Sequence, residues 1–349
     1  MMRIPRMPRS ERLSAFNRAV FRRASRSLSG ALGGGSPVIR GLIWTAMDEQ
    51  MVRQGQQDPP ATRATAESFG LEWTTHGELA WLYASEADLW REFETFRIPP
   101  DVFQGKRVLD AGCGMGRWSY AAVKSGARHV VGFDLHDGVQ AAKALAHGVG
   151  RADFLKASIL ALPFQEESFD SVVSIGVLHH TGDTHGAIRA LFPVLRPGGW
   201  LFVQLYASRG EVKDRRMAAL LRITNRIPKR PLYSMCLVLV AARYVPLLKN
   251  LVQAVNHFVQ IVSYGKHRSF WRNVADTYDW HCCPYRTFHT EEELRGVLAD
   301  MGLEDIAVTN PTYRGAINIV GRRPPANRAA QSGAADGRMV PRAAEHAKP

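Results

Sequence analysis

Behind a short hydrophobic run, "VLDAGCGMGRW" (Val108–Trp118) places a carboxylate, Asp110, just ahead of three alternating glycines, Gly112, Gly114 and Gly116. Glycines let a backbone approach a ligand closely, and the N–H groups at the start of a following helix favour a negative group. A dinucleotide fingerprint would need a further glycine at position 117. Arg117 stands there, so the spacing is GxGxG rather than GxGxxG. Asp134 closes the next hydrophobic run, about twenty residues on, where an acidic side chain on an α/β sheet reaches ribose hydroxyls. One glycine turn and one distant carboxylate describe an adenosine-bearing ligand.

Two adjacent imidazoles, His179 and His180, follow the run "FDSVVSIG". At the end of a strand and beside a substrate, a histidine has the unperturbed pKa of a general base. The same "HHT" can instead form a helix cap or line the ligand pocket. No metal is expected. His179, His180 and His185 lack acidic or thiol partners at ligand spacing, and the adjacent residues of "HCC" (281–283) cannot easily share a tetrahedral site.

These residues need a scaffold that brings strand ends together, and the middle of the chain supplies one. Short apolar runs alternate with helical stretches from Lys106, the pattern of a parallel α/β sheet. Strands are expected at 107–111, 129–134, 152–157, 169–176 and 199–206, with helices at 118–125, 139–147 and 187–195, the last stopped by "RPGG". A capping box, Thr290 with Glu293, opens another helix, and two further strands follow at 303–310 and 315–322. "NPTY" (310–313) falls between those strands and reads as a turn.

In family order, "VLDAGCGMGRW", "VVGFDL", "SILALPFQEESFDSVVSIGVLHHTGD" and "LRPGGWLFVQLY" resemble the class I S-adenosylmethionine-dependent methyltransferases, specifically the type 11 group, over roughly residues 66–321. The resemblance implies a Rossmann-like, seven-stranded, mostly parallel sheet, with a helical lid inserted between the fifth strand and the following helix. It implies S-adenosyl-L-methionine as cofactor. Asp110 and the backbone from Gly112 through Cys113 and Gly114 to Gly116 would hold the methionine part, and Asp134, with Leu135 beside it, the ribose. Ser158 stands where many relatives carry an aspartate facing adenine; it can still hydrogen-bond while Ile159 packs on the ring. Ser174 and Val177 would lie close by, Val177 next to the exit of the methyl group. His179 and His180 are the catalytic candidates. The position after the fourth strand reads "SIGV", which disfavours exocyclic-amine methylation.

Substrate choice is expected in the insert. Residues 207–275 carry 13 Lys and Arg against 2 Asp and Glu, most of a formal net charge of +13 for the whole chain. Within it, "LYSMCLVLVAARYVPLLKNLVQAVNHFVQIVSYG" is largely apolar, yet its charge-free runs are too short to span a bilayer. An apolar and basic lid suits a small, lipid-like or anionic acceptor, or docking on an anionic membrane; nucleic acid is disfavoured because no RNA-binding module is recognisable. Phe69, Trp73 and Trp81 before the core, and Tyr278, Trp280, Tyr285, Arg286 and His289 after the insert, are candidate pocket contacts.

The expected organisation is a basic extension over 1–60, a cofactor-binding core with cap helices over 61–206, the lid over 207–289, the last helix and two strands over 290–322, and a disordered tail over 323–349. Leu13, Phe16, Val20 and Ala24 share a helical face in the extension, opposite arginines, as in a membrane-surface helix or a solvated leader. Four cysteines without CxxC spacing fit a reducing compartment, hence a cytoplasmic enzyme with peripheral membrane contact. The expected reaction is methylation of an oxygen or carbon in a small, apolar or lipid-linked metabolite, with RNA or a small-molecule nitrogen as alternatives.

Overall fold

A computed structural model describes residues 62–69, 86–136, 138–146, 151–258, 270–310 and 315–326. The N-terminal amphipathic segment, Trp73, Trp81, the "NPTY" turn beyond Asn310 and the tail beyond Ala326 lie outside them.

Seven strands form one sheet in the order β3-β2-β1-β4-β5-β7-β6. They are β1 (Arg107–Ala111), β2 (His129–Asp134), β3 (Ala152–Lys156), β4 (Phe169–Ile175), β5 (Leu195–Tyr206), β6 (Glu304–Val308) and β7 (Ala316–Arg322). β1 to β5 pair in parallel, whereas β7 runs antiparallel between β5 and β6. The chain order reverses between β1 and β4, so both strands send their carboxyl ends to the switch point where open α/β sheets bind ligands. β1 is buried along its whole length, including Arg107 and Asp110, as expected of a central strand with helices on both faces.

Ten helices are described: α1 (residues 62–69), α2 (Glu86–Phe96), α3 (Arg117–Lys124), α4 (Val139–Ala146), α5 (Thr184–Ala190), α6 (Glu211–Thr224), α7 (Lys229–Ala242), α8 (Pro246–Phe258), α9 (Phe270–Cys282) and α10 (Glu291–Asp300). One face of the sheet packs Leu109, Val131, Phe133, Leu155, Val172, Leu201 and Val203 under α5 and α10; the other packs Val108, Val130, Val173 and Phe202 with Phe96, Phe103 and Trp118. Leu89, Phe93 and Phe96 serve this packing.

Two boundaries depart from the sequence pattern. α5 starts earlier than expected because Asp183 caps it, accepting the Gly186 N–H at 2.8 Å. It stops at Ala190 rather than near Leu195, since Pro193 disfavours helical backbone at the residue before it. "RPGG" then belongs to β5, which begins at Leu195 and passes a register shift between its pairings with Phe169 and Ser171. The capping box at the start of α10 forms as the sequence predicts. Arg323 is held to the sheet: its N–H donates to the Gly199 carbonyl at 2.9 Å and its guanidinium reaches Glu167 at 2.8 Å.

Between β5 and α10 lie α6 to α9. α7 packs along α9, and α9 also meets α6. No single described helix is long and apolar enough to cross a membrane.

Candidate functional site

The turn after β1 is shaped by its glycines. Gly112, Gly114 and Gly116 have φ of +82°, +55° and +87°, a region that side-chain-bearing residues rarely occupy. Close packing adds a second reason at Gly112, where a Cβ would overlap the Val177 side chain. The turn is tied to β2 by two N–H groups, those of Gly112 and Cys113, each donating to the Phe133 carbonyl at 2.9 Å. Cys113 is buried and its thiol is pushed up by burial.

Asp134 closes the link from the other side. One carboxylate oxygen accepts the Gly114 N–H at 2.8 Å, and the other accepts the Leu135 N–H at 2.7 Å with His136 Nε2 at 3.3 Å. The latter, Oδ1, is thus taken by two donors, whereas Oδ2 keeps a second lone pair for a ligand hydroxyl.

Asp110 is the unbalanced group. It is wholly buried; Oδ2 accepts the Ser119 hydroxyl at 2.5 Å, whereas Oδ1 has no partner. Burial pushes its pKa up to about 7, opposed by the Ser119 hydrogen bond and reinforced by the Asp134 charge. An unpartnered buried carboxylate oxygen beside a glycine turn fits a ligand carrying an ammonium group. The donor set therefore suits the methionine and ribose ends of S-adenosylmethionine.

The remaining expected cofactor residues fall nearby along the strand ends. Ser158 follows β3, its hydroxyl accepting the Leu160 N–H at 3.2 Å, and Ile159 packs against the core under the sheet. Ser174 is buried in β4 and donates to the Ala111 carbonyl at 2.8 Å, so its hydroxyl links two strands. Val177 opens a single 3-10 turn, Leu178–His180.

That turn carries the two histidines to the end of β5. His179 is completely buried against Tyr206, with ring centroids 3.9 Å apart, and neither ring nitrogen has a hydrogen-bond partner. Burial first, then the positive neighbours His180 and Arg286, hold its pKa well below the ordinary histidine value. His179 is thus a neutral imidazole near pH 7. His180 donates through Nδ1 to the Tyr285 carbonyl at 3.0 Å and meets Phe69 of α1 at 5.1 Å.

The loop after α9 closes the arrangement by stitching itself to both strand ends. Thr287 N–H donates to the His179 carbonyl at 3.0 Å, His289 N–H to the Tyr206 carbonyl at 2.9 Å, and Ser208 N–H to the His289 carbonyl at 2.8 Å. Arg286 is drawn inside with a fully covered side chain. Its guanidinium lies 4.9 Å from the Tyr206 ring centre and 4.4 Å from that of Trp280, and it donates to the Asp279 and Trp280 carbonyls at 3.0 and 3.1 Å. Arg286 Nε and Trp280 Nε1 are buried without acceptors. Tyr206, His179, Trp280, Arg286 and Phe288 therefore form an aromatic and cationic nook with unmet donors.

Among the later candidates, Trp280 and Arg286 line this nook. Tyr285 contributes its carbonyl, and Tyr278 packs edge-on against Tyr233 in the insert. His289 turns toward α5: its Nδ1 and His185 Nε2 both donate to Glu293 Oε1, at 2.9 and 2.6 Å. Despite burial, these hydrogen bonds, that from His289 foremost, hold the Glu293 carboxyl below its usual value. His185, His289 and Glu293, like His180, Asp279 and Cys283, bring potential metal-ligating atoms within 4.8 Å of one another, groupings that sequence spacing did not suggest. Tyr206 and Asp279 also escaped the sequence reading. The available signal for Tyr206 was its place as the last residue of the fifth apolar run.

Comparison with known proteins gives the following. Residues 109–203 match a family model described as a methyltransferase domain. Sterol 24-C-methyltransferase erg6 of Aspergillus fumigatus is 33% identical over 115 residues, 30% of this chain and 30% of that protein. Demethylmenaquinone methyltransferase of Clavibacter sepedonicus is 34% identical over 116 residues, 33% of this chain and 46% of that protein. The chain thus spans less than half the length of either relative. Among solved structures, an S-adenosylmethionine-dependent methyltransferase from Mesorhizobium loti is 17% identical, with a TM-score of 0.41 and coverage of 66% of this chain and 97% of that one.

Proposed function

With a class I, S-adenosylmethionine-dependent methyltransferase domain as the premise, we propose that this chain transfers a methyl group to an oxygen or carbon of a small, apolar or lipid-linked metabolite in the cytoplasm. The observation that carries the reading is the unpartnered oxygen of Asp110 at the glycine turn, next to Asp134, whose Oδ2 keeps a lone pair.

In this reading Asp110 and the turn from Gly112 through Cys113 and Gly114 to Gly116 receive the methionine end, Asp134 and Leu135 the ribose, and Ser158 and Ile159 the adenine. Ser174 holds β1 and β4 in register below them, and Val177 walls the methyl exit. The cofactor supplies a methyl on a sulfonium with a neutral thioether as leaving group, so the protein's contribution is alignment, for which roughly 7–11 kcal/mol is available. Asp110 gains its charge when an ammonium arrives, which lowers its pKa toward the ordinary carboxylate range.

The nook at Tyr206 takes the acceptor. His179, neutral and without a partner, accepts the acceptor's proton at a ring nitrogen, while Arg286 and Trp280 direct unmet N–H groups at the oxygen that is losing it. Aromatic walls exclude water and favour an apolar body. The test is mass spectrometry of metabolites from a deletion strain, seeking a species lighter by one methylene than its wild-type counterpart, coupled to turnover of S-adenosylmethionine by purified protein. Absence of turnover with every accumulated species would overturn the assignment.

A further inference from the structure

The insert carries a second feature, on α7 and α8. Twelve large hydrophobic side chains are exposed among the described residues, and all but Leu160 lie between Val212 and Trp271. They concentrate where α7 turns into α8. From Tyr244 to Val255 every residue except Val252 is exposed, and Leu247 and Leu251 keep 87% and 61% of their surface.

Helical geometry shows why this is not ordinary surface. Leu247, Leu248, Leu251 and Val255 recur at one, four and eight residues, forming one apolar stripe, with Lys249, Asn250 and Gln253 on the other side. Val252, beside the stripe, packs with Val240 of α7 and Val274 of α9. The helix is thus fastened by its margin while its apolar face stays in water. A soluble domain rarely leaves such a patch uncovered.

Charge identifies the cover. Residues 215–275 contain eleven Lys and Arg and no Asp or Glu. Two copies meeting at this face would set like charges against each other, and nucleic acid does not bury leucine and valine stripes. A bilayer with anionic headgroups satisfies both properties, as it absorbs aliphatic side chains and attracts flanking cations. Tyr244 and Trp271, both exposed and both packed on Phe270 at 5.7 and 5.2 Å, add aromatic rings of the kind that sit at headgroup level. α7 and α8 are long and apolar enough for a span only when taken together, and they are bent by 116° at the break between them, which suits lying in the surface rather than crossing it.

We propose that the α7–α8 elbow docks this protein on an anionic membrane surface. This goes beyond the methyl-transfer reading and does not depend on it. α7 packs along α9, whose last turn carries Trp280 of the Tyr206 nook.

The test is sedimentation of the full-length chain with vesicles of phosphatidylcholine alone or mixed with phosphatidylglycerol. Partition onto the anionic vesicles should exceed that onto neutral ones at least about tenfold at low salt and fall as salt rises. L247E with L251E should lower it at least about tenfold, with circular dichroism and S-adenosylhomocysteine affinity unchanged, since both side chains face solvent. R243E with K249E should remove the preference for anionic lipid. Equal sedimentation of the leucine variant, or none with anionic vesicles, overturns the proposal. So does a dimer that L251E dissociates, or retention on RNA without retention on vesicles.

Discussion

At the ends of β1 and β2, backbone answers side chain: Gly114 and Leu135 give their N–H groups to Asp134, Gly112 and Cys113 give theirs to Phe133, and Asp110 Oδ1 is left over. Beyond the ends of β4 and β5, the rings of His179, Tyr206, Trp280 and Phe288 and the Arg286 guanidinium pack together while both His179 nitrogens, Trp280 Nε1 and Arg286 Nε stay unmet. The first region is built from partners at most about two dozen residues apart on one βαβ unit, with its geometry set by glycines. The second gathers residues from the turn after β4, the end of β5, and α9 with the loop that follows it, far along the chain. A ligand common to many proteins suits the first construction; a ligand particular to this chain suits the second.

The largest effect should come from breaking the first region. Asp134→Ala removes the carboxylate proposed for the ribose hydroxyls and the acceptor that holds Gly114, so S-adenosylhomocysteine affinity should fall by roughly 10²- to 10⁴-fold, taking about 1.5–3 kcal/mol per charged hydrogen bond. Isothermal calorimetry measures this, and undiminished affinity would dissolve the contrast between the two regions.

For the second region, His179→Ala should slow single-turnover methyl transfer by roughly 10²- to 10⁴-fold, with smaller loss for His180→Ala, whose Nδ1 is already engaged by Tyr285. Because His179 titrates below the ordinary histidine range, the rate should hold steady between about pH 7 and pH 6. A midpoint near 6.5 would assign proton transfer to another group.

Asp110→Asn separates function from stability within the first region. Its folded pKa, about 7, lies above the unfolded value of 3.8, so the folded state holds a proton that the unfolded state releases. The ligand-free protein should therefore lose stability as pH rises from about 4 to about 7 and level off above. The amide removes the Asp110 share of this slope and should be more stable than the parent at pH 8 by about 2–4 kcal/mol, while binding S-adenosylhomocysteine more weakly. Urea denaturation at several pH values gives the slope; a flat profile in the parent protein would refute it.

The smallest effect tests a residue between the regions. Ser174→Ala removes the hydroxyl bound to the Ala111 carbonyl and should cost about 0.5–1.5 kcal/mol of stability, with S-adenosylhomocysteine affinity changed less than about twofold. A tenfold loss of affinity would move Ser174 into direct cofactor contact.

Much of the first region was legible beforehand because its determinants are local. A turn that needs positive φ selects glycine, a strand end selects its acid, and the capping box Thr290–Glu293 is a four-residue pattern. The strand positions followed from alternating apolar runs, while helix ends drifted where Asp183 and Pro193 intervened. Asp279 was silent because nothing in its neighbourhood along the chain distinguishes it, and Tyr206 offered only its place at the end of the fifth run; the significance of both arises from Arg286 and Trp280, which pack against Tyr206.

The sequence by itself determined the strand-turn-helix unit, its glycines and carboxylates and the basic, acid-poor insert, since periodicity, φ preference and charge are properties of short stretches. Tertiary structure alone decided that Asp110 lacks a partner, that His179 is neutral against Tyr206, and that α8 shows water its apolar face. Burial and pairing depend on what the rest of the chain places alongside, and no local pattern encodes that.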